Sequence, residues 1–508
     1  MNIKQAKQEI SNTLKAYLAK DDLGNYLIPP VRQRPVLLMG PPGIGKTQIM
    51  EQIAAENGVG LVAYTITHHT RQSAVGLPFI EKRVFDGTEV SVTEYTMSEI
   101  LASVYMLMER TGLKEGILFL DEINCVSETL APMMLQFLQC KTFGNQRLPE
   151  GWLIAAAGNP PEYNRSVREF DVVTLDRVKR IEVKEDFAVW KEYARSKGLH
   201  GAVVSYLDIK KENFYRVETT AEGLQFATAR GWEDLSELLC AYEKLGLKAD
   251  GEVIVQYIQS LRIARDFANY LALYEKYQRD YHVDAVLRGE WQAVTVSELR
   301  AAAFDEKLSV MGLLLSRLTE AARNVRRQDA LADALHAALT DLRDNLREEP
   351  NILPILIQER RTALKRAREA NQMDRESQNL AQRTISTLED YRRMLIQEGI
   401  TGPDEIMDAV RGWFGGEVDR RALLAELTGR QLENAFRFLE DAFGQGQELV
   451  LFVTELTACP DTSWFVETFG CDAYFRHNSE LLFDDTRQRL QEEIAAARAA
   501  DLKEVSHE

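Results

Sequence analysis

Gly40-Pro41-Pro42-Gly43-Ile44-Gly45-Lys46-Thr47 has the residue types and spacing of a loop that cradles phosphate. Backbone N–H groups of such a loop, and of the helix it opens, converge on one concavity that favours an anion. Lys46 is placed to pair with β- and γ-phosphates, and Thr47 to bind Mg²⁺ through its hydroxyl. Gly40, Pro41, Gly43, Ile44, Gly45 and Gln48 complete the cradle. The flanks are the ones this chemistry needs: residues 35–39 (PVLLM) read as a short buried strand and 47–55 (TQIMEQIAA) as a helix. The segment implies a bound nucleoside triphosphate.

Hydrolysis needs more than a cradle: a metal ligand, a base and stabilisation of developing charge. Residues 116–122 (GILFLDE) supply the first two, because a buried strand ending in two acids sets both carboxylates at its carboxyl end. That edge is where open α/β sheets bind ligands. Asp121 would hold Mg²⁺, and Glu122 would orient and deprotonate the attacking water. A second buried strand, 153–159 (LIAAAGN), ends in Asn159, which would hydrogen-bond the lytic water or the γ-phosphate. Asn before Pro160-Pro161 is also ordinary turn chemistry. Thr67, at the end of another strand, is within the same region and would restrain Glu122. His68-His69 look like a metal pair, but neighbours on an extended segment point to opposite faces, so no metal is expected there.

These motifs need a scaffold, and the chain supplies one. From residue 35 to 183, strand-like runs at 36–39, 61–66, 116–120, 153–157 and 178–183 alternate with helical runs at 46–57, 97–111 and 127–139. Such alternation predicts a parallel sheet covered by helices on both faces. Residues 79–94 read as a hairpin turning at Asp86-Gly87. An amphipathic helix precedes the first strand, with Ile3, Ile10, Leu14 and Leu18 on one face.

The order of GPPGIGKT, ILFLDE, AAGNP, LDR (175–177) and TARGW (228–232) resembles the AAA+ ATPases, and within them the MoxR-like branch. The likeness covers residues 30 to 280. It implies an α/β P-loop core whose parallel sheet runs in the order 5-1-4-3-2, an α-helical lid, and assembly into a ring, usually a hexamer. It implies ATP and Mg²⁺ as ligands. By the same resemblance Asn159 takes the sensor 1 position, and Arg230 the lid position that contacts the γ-phosphate. Arg177 takes the position of an arginine finger reaching into a neighbour's site, with Arg180 a second candidate. Residues 79–94 fall at the helix-2 insert of this branch, and 141–148 at a loop projecting toward the pore. The branch usually has Phe after the finger and Pro before the lid arginine; Val178 and Ala229 stand there instead. The usual partner in such systems carries a von Willebrand factor A (VWA) domain, and the ATPase matures a protein client.

The domains expected are a nucleotide-binding domain (1–184), a helical lid (185–282), a long helical hairpin (283–400) and a small α/β or mostly α domain (401–508). Residues 297–346 and 355–397 are highly charged and nearly free of Gly and Pro. Leucines at 331, 335, 339, 342 and 346 recur at helical spacing. An antiparallel helical pair is expected, its second arm spanning roughly 60 Å if unbroken. Further on, 423–443 and the tail 480–500 read as helix, and 449–456 (LVLFVTEL) as a strand. Trp464, Phe465, Phe469, Tyr474 and Phe475 read as core.

Composition limits the partners. The 508 residues carry 61 Lys and Arg against 78 Asp and Glu, for a formal net charge of −17. That balance opposes nonspecific nucleic-acid binding, which depends on cations neutralising phosphates. A nucleic-acid-linked motor, such as the GTP-using restriction subunits of related architecture, is further opposed by the lack of an N-K-x-D motif. An ATP-gated scaffold with little turnover is the other alternative, opposed by Glu122, Asn159, Arg177 and Arg230 standing together. The longest apolar runs are too short to span a bilayer, and the N-terminus lacks the apolar core of a secretion signal. Five cysteines without a C-x-x-C pair suit reduced thiols in the cytoplasm.

Overall fold

The computed structural model describes residues 1–479, apart from 69–75, 86–87, 144–145, 164–166, 168–169, 221–222, 348, 350–351 and 371–372. The expected tail helix at 480–500, the Asp86-Gly87 turn and His69 lie outside the described residues. Two compact units emerge from the internal contacts: Met1–Val189 with Thr228–Arg230 and Ala337–Met407, and Trp190–Ala227 with Gly231–His336 and the chain from Asp408 on.

The first unit is built on five parallel strands: β1 (Val36–Met39), β2 (Gly60–Thr65), β5 (Gly116–Asp121), β8 (Trp152–Gly158) and β9 (Lys179–Glu182). Their spatial order is β2-β5-β8-β1-β9, every pair parallel. Counting only these strands, the order is 5-1-4-3-2 from the β9 edge, the one the resemblance implies. Side chains alternate across the sheet, as a period of two requires. Ile117, Phe119, Leu153 and Ala155 face a layer holding Ile10 and Leu14 of the helix Ile3–Leu18 and Ile49 and Ile53 of Lys46–Asn57. Leu118, Leu120, Ile154 and Ala156 face the opposite layer, with Leu101 and Val104 of Glu99–Thr111 and Met134 and Phe137 of Ala131–Cys140. Both faces are dry, so near-continuous apolar strands are what this sheet demands.

Two hairpins leave this core. β3 (Pro78–Phe85) and β4 (Thr88–Tyr95) pair antiparallel, with Phe79 opposite Glu94, as the residue pattern predicts. Every residue of β3 is exposed. β6 (Thr142–Phe143) and β7 (Gln146–Arg147) form the second, where a projecting loop is expected.

Both long C-terminal arms are broken: residues 297–346 fall on two helices, Ala293–Ala301 and Phe304–Asn345. The arm expected at 355–397 is two helices, Ile352–Glu369 and Arg375–Glu398, so a 60 Å rod is not formed. Asp374 starts the second by accepting the Ser377 N–H at 2.8 Å, satisfying an otherwise orphan donor of its first turn. The two run antiparallel, joined by an Arg361–Glu389 ion pair, with Leu364 of the first and Ile385 and Leu388 of the second buried. Arg360 ties this pair to Asp341 at 2.9 Å, near the end of the helix Phe304–Asn345.

The second unit carries an aromatic centre. Tyr206, Trp232 and Phe267 lie with ring centroids 5.2–5.7 Å apart, and the Trp232 indole donates to the carbonyls of Asn213 and Phe214. A hairpin of β10 (Arg216–Thr220) and β11 (Gly223–Ala227) interrupts the helices of this otherwise helical region. Residues 449–456 are not a strand: they lie in the helix Gln447–Ala458. Leu449, Phe452, Val453 and Leu456 are its buried residues, the i, i+3, i+4, i+7 stripe of one helical face. This helix meets the start of the unit through charge. Lys191 bonds Asp208 at 2.6 Å and Glu455 at 2.9 Å, and Arg195 pairs with Glu455. Arg323 reaches Asp461 at 2.8 Å. Of the C-terminal aromatics, Phe465 and Tyr474 are core, whereas Phe469 and Phe475 are exposed.

Candidate nucleotide site

Since β1, β5 and β8 are parallel neighbours, their carboxyl ends open on one edge, and each ends in a chemically active residue set. After β1 the loop turns through Gly43 (φ 75°) and Gly45 (φ 89°), left-handed conformations that only glycine adopts without strain. Gly45 is the N-cap of Lys46–Asn57, so the first-turn N–H groups of that helix face the loop. A side chain on Gly43 would also stand 3.3 Å from Thr228 and 3.4 Å from the Cβ of Arg230. The Thr228–Arg230 segment thus covers the loop.

Lys46 is buried, with its ammonium donating at 2.8 Å to the carbonyls of Gly40 and Pro41 and to Oδ1 of Asn159. Burial pushes its pKa down to about 8; Asp121 and Glu122 oppose that shift, and Arg230 adds to it. Thr47 Oγ1 donates to Asp121 Oδ2 at 2.9 Å. Glu122 is one of three non-glycine residues with positive φ (56°) among those described. Such a backbone costs about 1–3 kcal/mol and collects at active sites. Its carboxylate accepts from Thr67 Oγ1 at 3.0 Å, the restraint that the sequence suggests.

Lys46, Thr47, Asp121, Glu122 and Asn159 therefore gather at one edge, and Arg230 is close enough to act on Lys46. Arg177 stands elsewhere: it is exposed and donates to Gln139 Oε1 at 2.6 Å. Arg180 is exposed too and pairs with Glu182 at 2.6 Å. Pro41, Ile44 and Gln48 line the loop, with Gln48 Oε1 placed 3.4 Å from where a Gly45 Cβ would be. One contributor escapes sequence reasoning. Asn124, 2% exposed, bonds both backbone groups of Asn159. Its only signal in the sequence is its place two residues after Glu122.

The donor set fits a magnesium triphosphate. A buried cation, a ring of N–H groups and a covering arginine suit polyphosphate. A hydroxyl beside a carboxylate is a hard oxygen pair of the kind Mg²⁺ takes together with phosphate and water. Among the described residues there is no group of three or more His, Cys, Asp or Glu that would form an all-protein cage for a metal. No helix in the described residues is long and apolar enough to cross a membrane. No curated protein matches this chain. Residues 36–175, from the first strand to the last residues before Asp176, match the model of the AAA family, the ATPase family associated with various cellular activities, and form the AAA+ P-loop core of this chain.

Proposed function

We propose that this protein hydrolyses ATP to ADP and phosphate, and uses the cycle to remodel a protein client. The observation that carries the reading is the convergence of Lys46, the Thr47–Asp121 pair, Glu122 and Asn159 at the carboxyl edge of three adjacent parallel strands. In this reading the glycine loop and the N-terminus of Lys46–Asn57 bind the polyphosphate, and Lys46 faces the β- and γ-phosphates. Thr47 and Asp121 would hold Mg²⁺, which would supply positive charge against the negative charge that develops on the transferred phosphate. Glu122, held by Thr67, takes a proton from water as the water oxygen bonds the γ-phosphorus. The bond from that phosphorus to the β–γ bridging oxygen breaks, leaving ADP. Asn159 orients the water or the γ-phosphate, and Arg230 approaches the transferred group from the segment that covers the loop.

The finer reading is a MoxR-like ring, usually of six copies, with residues 185–282 acting as the lid. Arg177 is exposed and points to an uncharged glutamine, which suits a finger offered to a neighbour. The net charge of −17 favours protein over nucleic-acid partners, and a VWA-domain protein is the partner the resemblance favours. Phosphate release and mass photometry test the reading together. The wild-type chain should turn over ATP and assemble with a slowly hydrolysed analogue, and Glu122→Gln should bind ATP without releasing phosphate. Brisk turnover by Glu122→Gln, or by a chain that stays monomeric with saturating nucleotide, overturns it.

A further inference from the structure

The turn that follows β5 does more than present Glu122. Asp121 Oδ1 accepts the Glu122 N–H at 2.9 Å, and the Cys125 N–H closes back on the Glu122 carbonyl at 2.9 Å. Between them, the Ile123 N–H reaches the Ala157 carbonyl at 2.9 Å and carries the β5–β8 ladder one step past the end of β5. The backbone ladder stops there, and the Asn124 side chain continues it. Its Nδ2 donates to the Asn159 carbonyl at 2.7 Å, and its Oδ1 accepts the Asn159 N–H at 3.3 Å. Two bonds of opposite sense to one residue are what a facing peptide group would make.

Two further observations show that this contact is built rather than incidental. Asn124 is buried, so both halves of its amide must be satisfied by protein. Residue 158 is glycine, and a Cβ there would stand 2.7 Å from Asn124 Oδ1 and 2.9 Å from its Cγ. The strand gives up a side chain where the carboxamide passes. Asn159 in turn offers its own Oδ1 to Lys46 at 2.8 Å. The linkage thus runs from the Glu122 turn through Asn124 to Asn159 and the phosphate-facing lysine.

We propose that Asn124 is a positioning residue of the hydrolytic site, setting the distance between Glu122 and the Asn159 carboxamide. The proposal rests on the roles given above to those two residues. Asn124 touches neither nucleotide nor water in this scheme; it acts through Asn159. Misplacing a reacting group by about 1 Å costs on the order of 100-fold in rate, so its loss should appear in turnover and not in binding.

The experiment is a double-variant cycle on the full chain, reading kcat and KM for ATP by phosphate release and melting temperature alongside. Asn124→Ala should lower kcat about 10- to 100-fold and move KM by less than about threefold. Combined with Asn159→Ala it should be no slower than Asn159→Ala alone, because residues acting through one another are not additive. Asn124→Asp, the same size, keeps the acceptor for the Asn159 N–H and sets an oxygen against the Asn159 carbonyl; it should reproduce the kcat loss. If the alanine variant does not fold, the cycle is run with the aspartate. Rates within twofold of wild type, multiplicative losses in the double variant, or a joint loss of binding and turnover each overturn the proposal. Failure of the underlying reading has its own signature: Glu122→Gln or Asn159→Ala would then turn over like wild type, whatever Asn124 does.

Discussion

Raising the pH should weaken nucleotide binding, and Lys46 says by how much. Burial holds its pKa near 8, against an ordinary value of 10.5, a preference against the charged form of about 3 kcal/mol. A bound polyphosphate supplies anionic oxygens and holds the proton on the ammonium. Below pH 8 the free and bound proteins are both protonated, and affinity is level. Above it the free protein has lost the proton and binding must take one up, so affinity falls. The nucleotide phosphates are already ionised in this range. The fall should be about tenfold from pH 7 to pH 9, with most of a proton absorbed per nucleotide at the upper end. Calorimetric titration with ADP at pH 7, 8 and 9, in two buffers of different ionisation enthalpy, measures both quantities. Lys46→Arg, whose charge does not titrate, should flatten the profile. Constant affinity with no proton uptake up to pH 9 would refute the reasoning. Stability runs the other way. The unfolded lysine keeps its proton up to 10.5, so the penalty for burying it is full below pH 8 and is relieved as pH rises from 8 toward 10.5.

Three other outcomes follow from particular residues. Arg177→Ala should reduce turnover by about 10³–10⁵, the range for arginines supplied from a neighbour, while leaving ADP affinity intact; half the wild-type rate would reject the finger role. Thr67→Val removes a hydroxyl that holds the Glu122 carboxylate and should lower kcat without changing KM, so an unchanged kcat would show the contact to be idle. Gly415 and Gly416 lie inside the helix Pro403–Phe443 with nothing within 4 Å of either Cβ position. Replacing both with alanine should stabilise the chain by about 1–2 kcal/mol, seen as a higher denaturant midpoint; a lower midpoint would contradict it.

Much of the core was legible because each motif sits at a junction the sequence marks twice. GPPGIGKT stands between PVLLM and a helix, and ILFLDE ends a run too apolar to be anything but a buried strand. The failures have physical reasons. LVLFVTEL is rich in β-formers, and a short apolar run does not declare its period; only burial of Leu449, Phe452, Val453 and Leu456, with Val450 and Leu451 exposed, reveals the helix. The break in the second long arm turns on one cap, Asp374, in a segment whose charge pattern is otherwise uniformly helical. The β10–β11 hairpin is two runs of five residues, RVETT and GLQFA, set between helices, too short to stand out from a mostly helical pattern. Asn124 was invisible for a different reason: its meaning is the backbone of Asn159, 35 residues away, and pairwise geometry of that kind leaves no trace in composition or spacing.

The charged contacts between Lys191, Arg195, Asp208 and Glu455 carry a practical lesson about how this protein can be taken apart. A truncation before Gln447 would strip Glu455 and Asp461 from cations that are largely shielded from water, at a cost of a few kcal/mol for each pair broken. Residues 337–407, meanwhile, keep company with the nucleotide-binding unit. The C-terminal half is therefore no detachable cartridge, to be grafted onto another motor or expressed as bait. Whoever maps its binding partners should leave the polypeptide whole and probe it one side chain at a time.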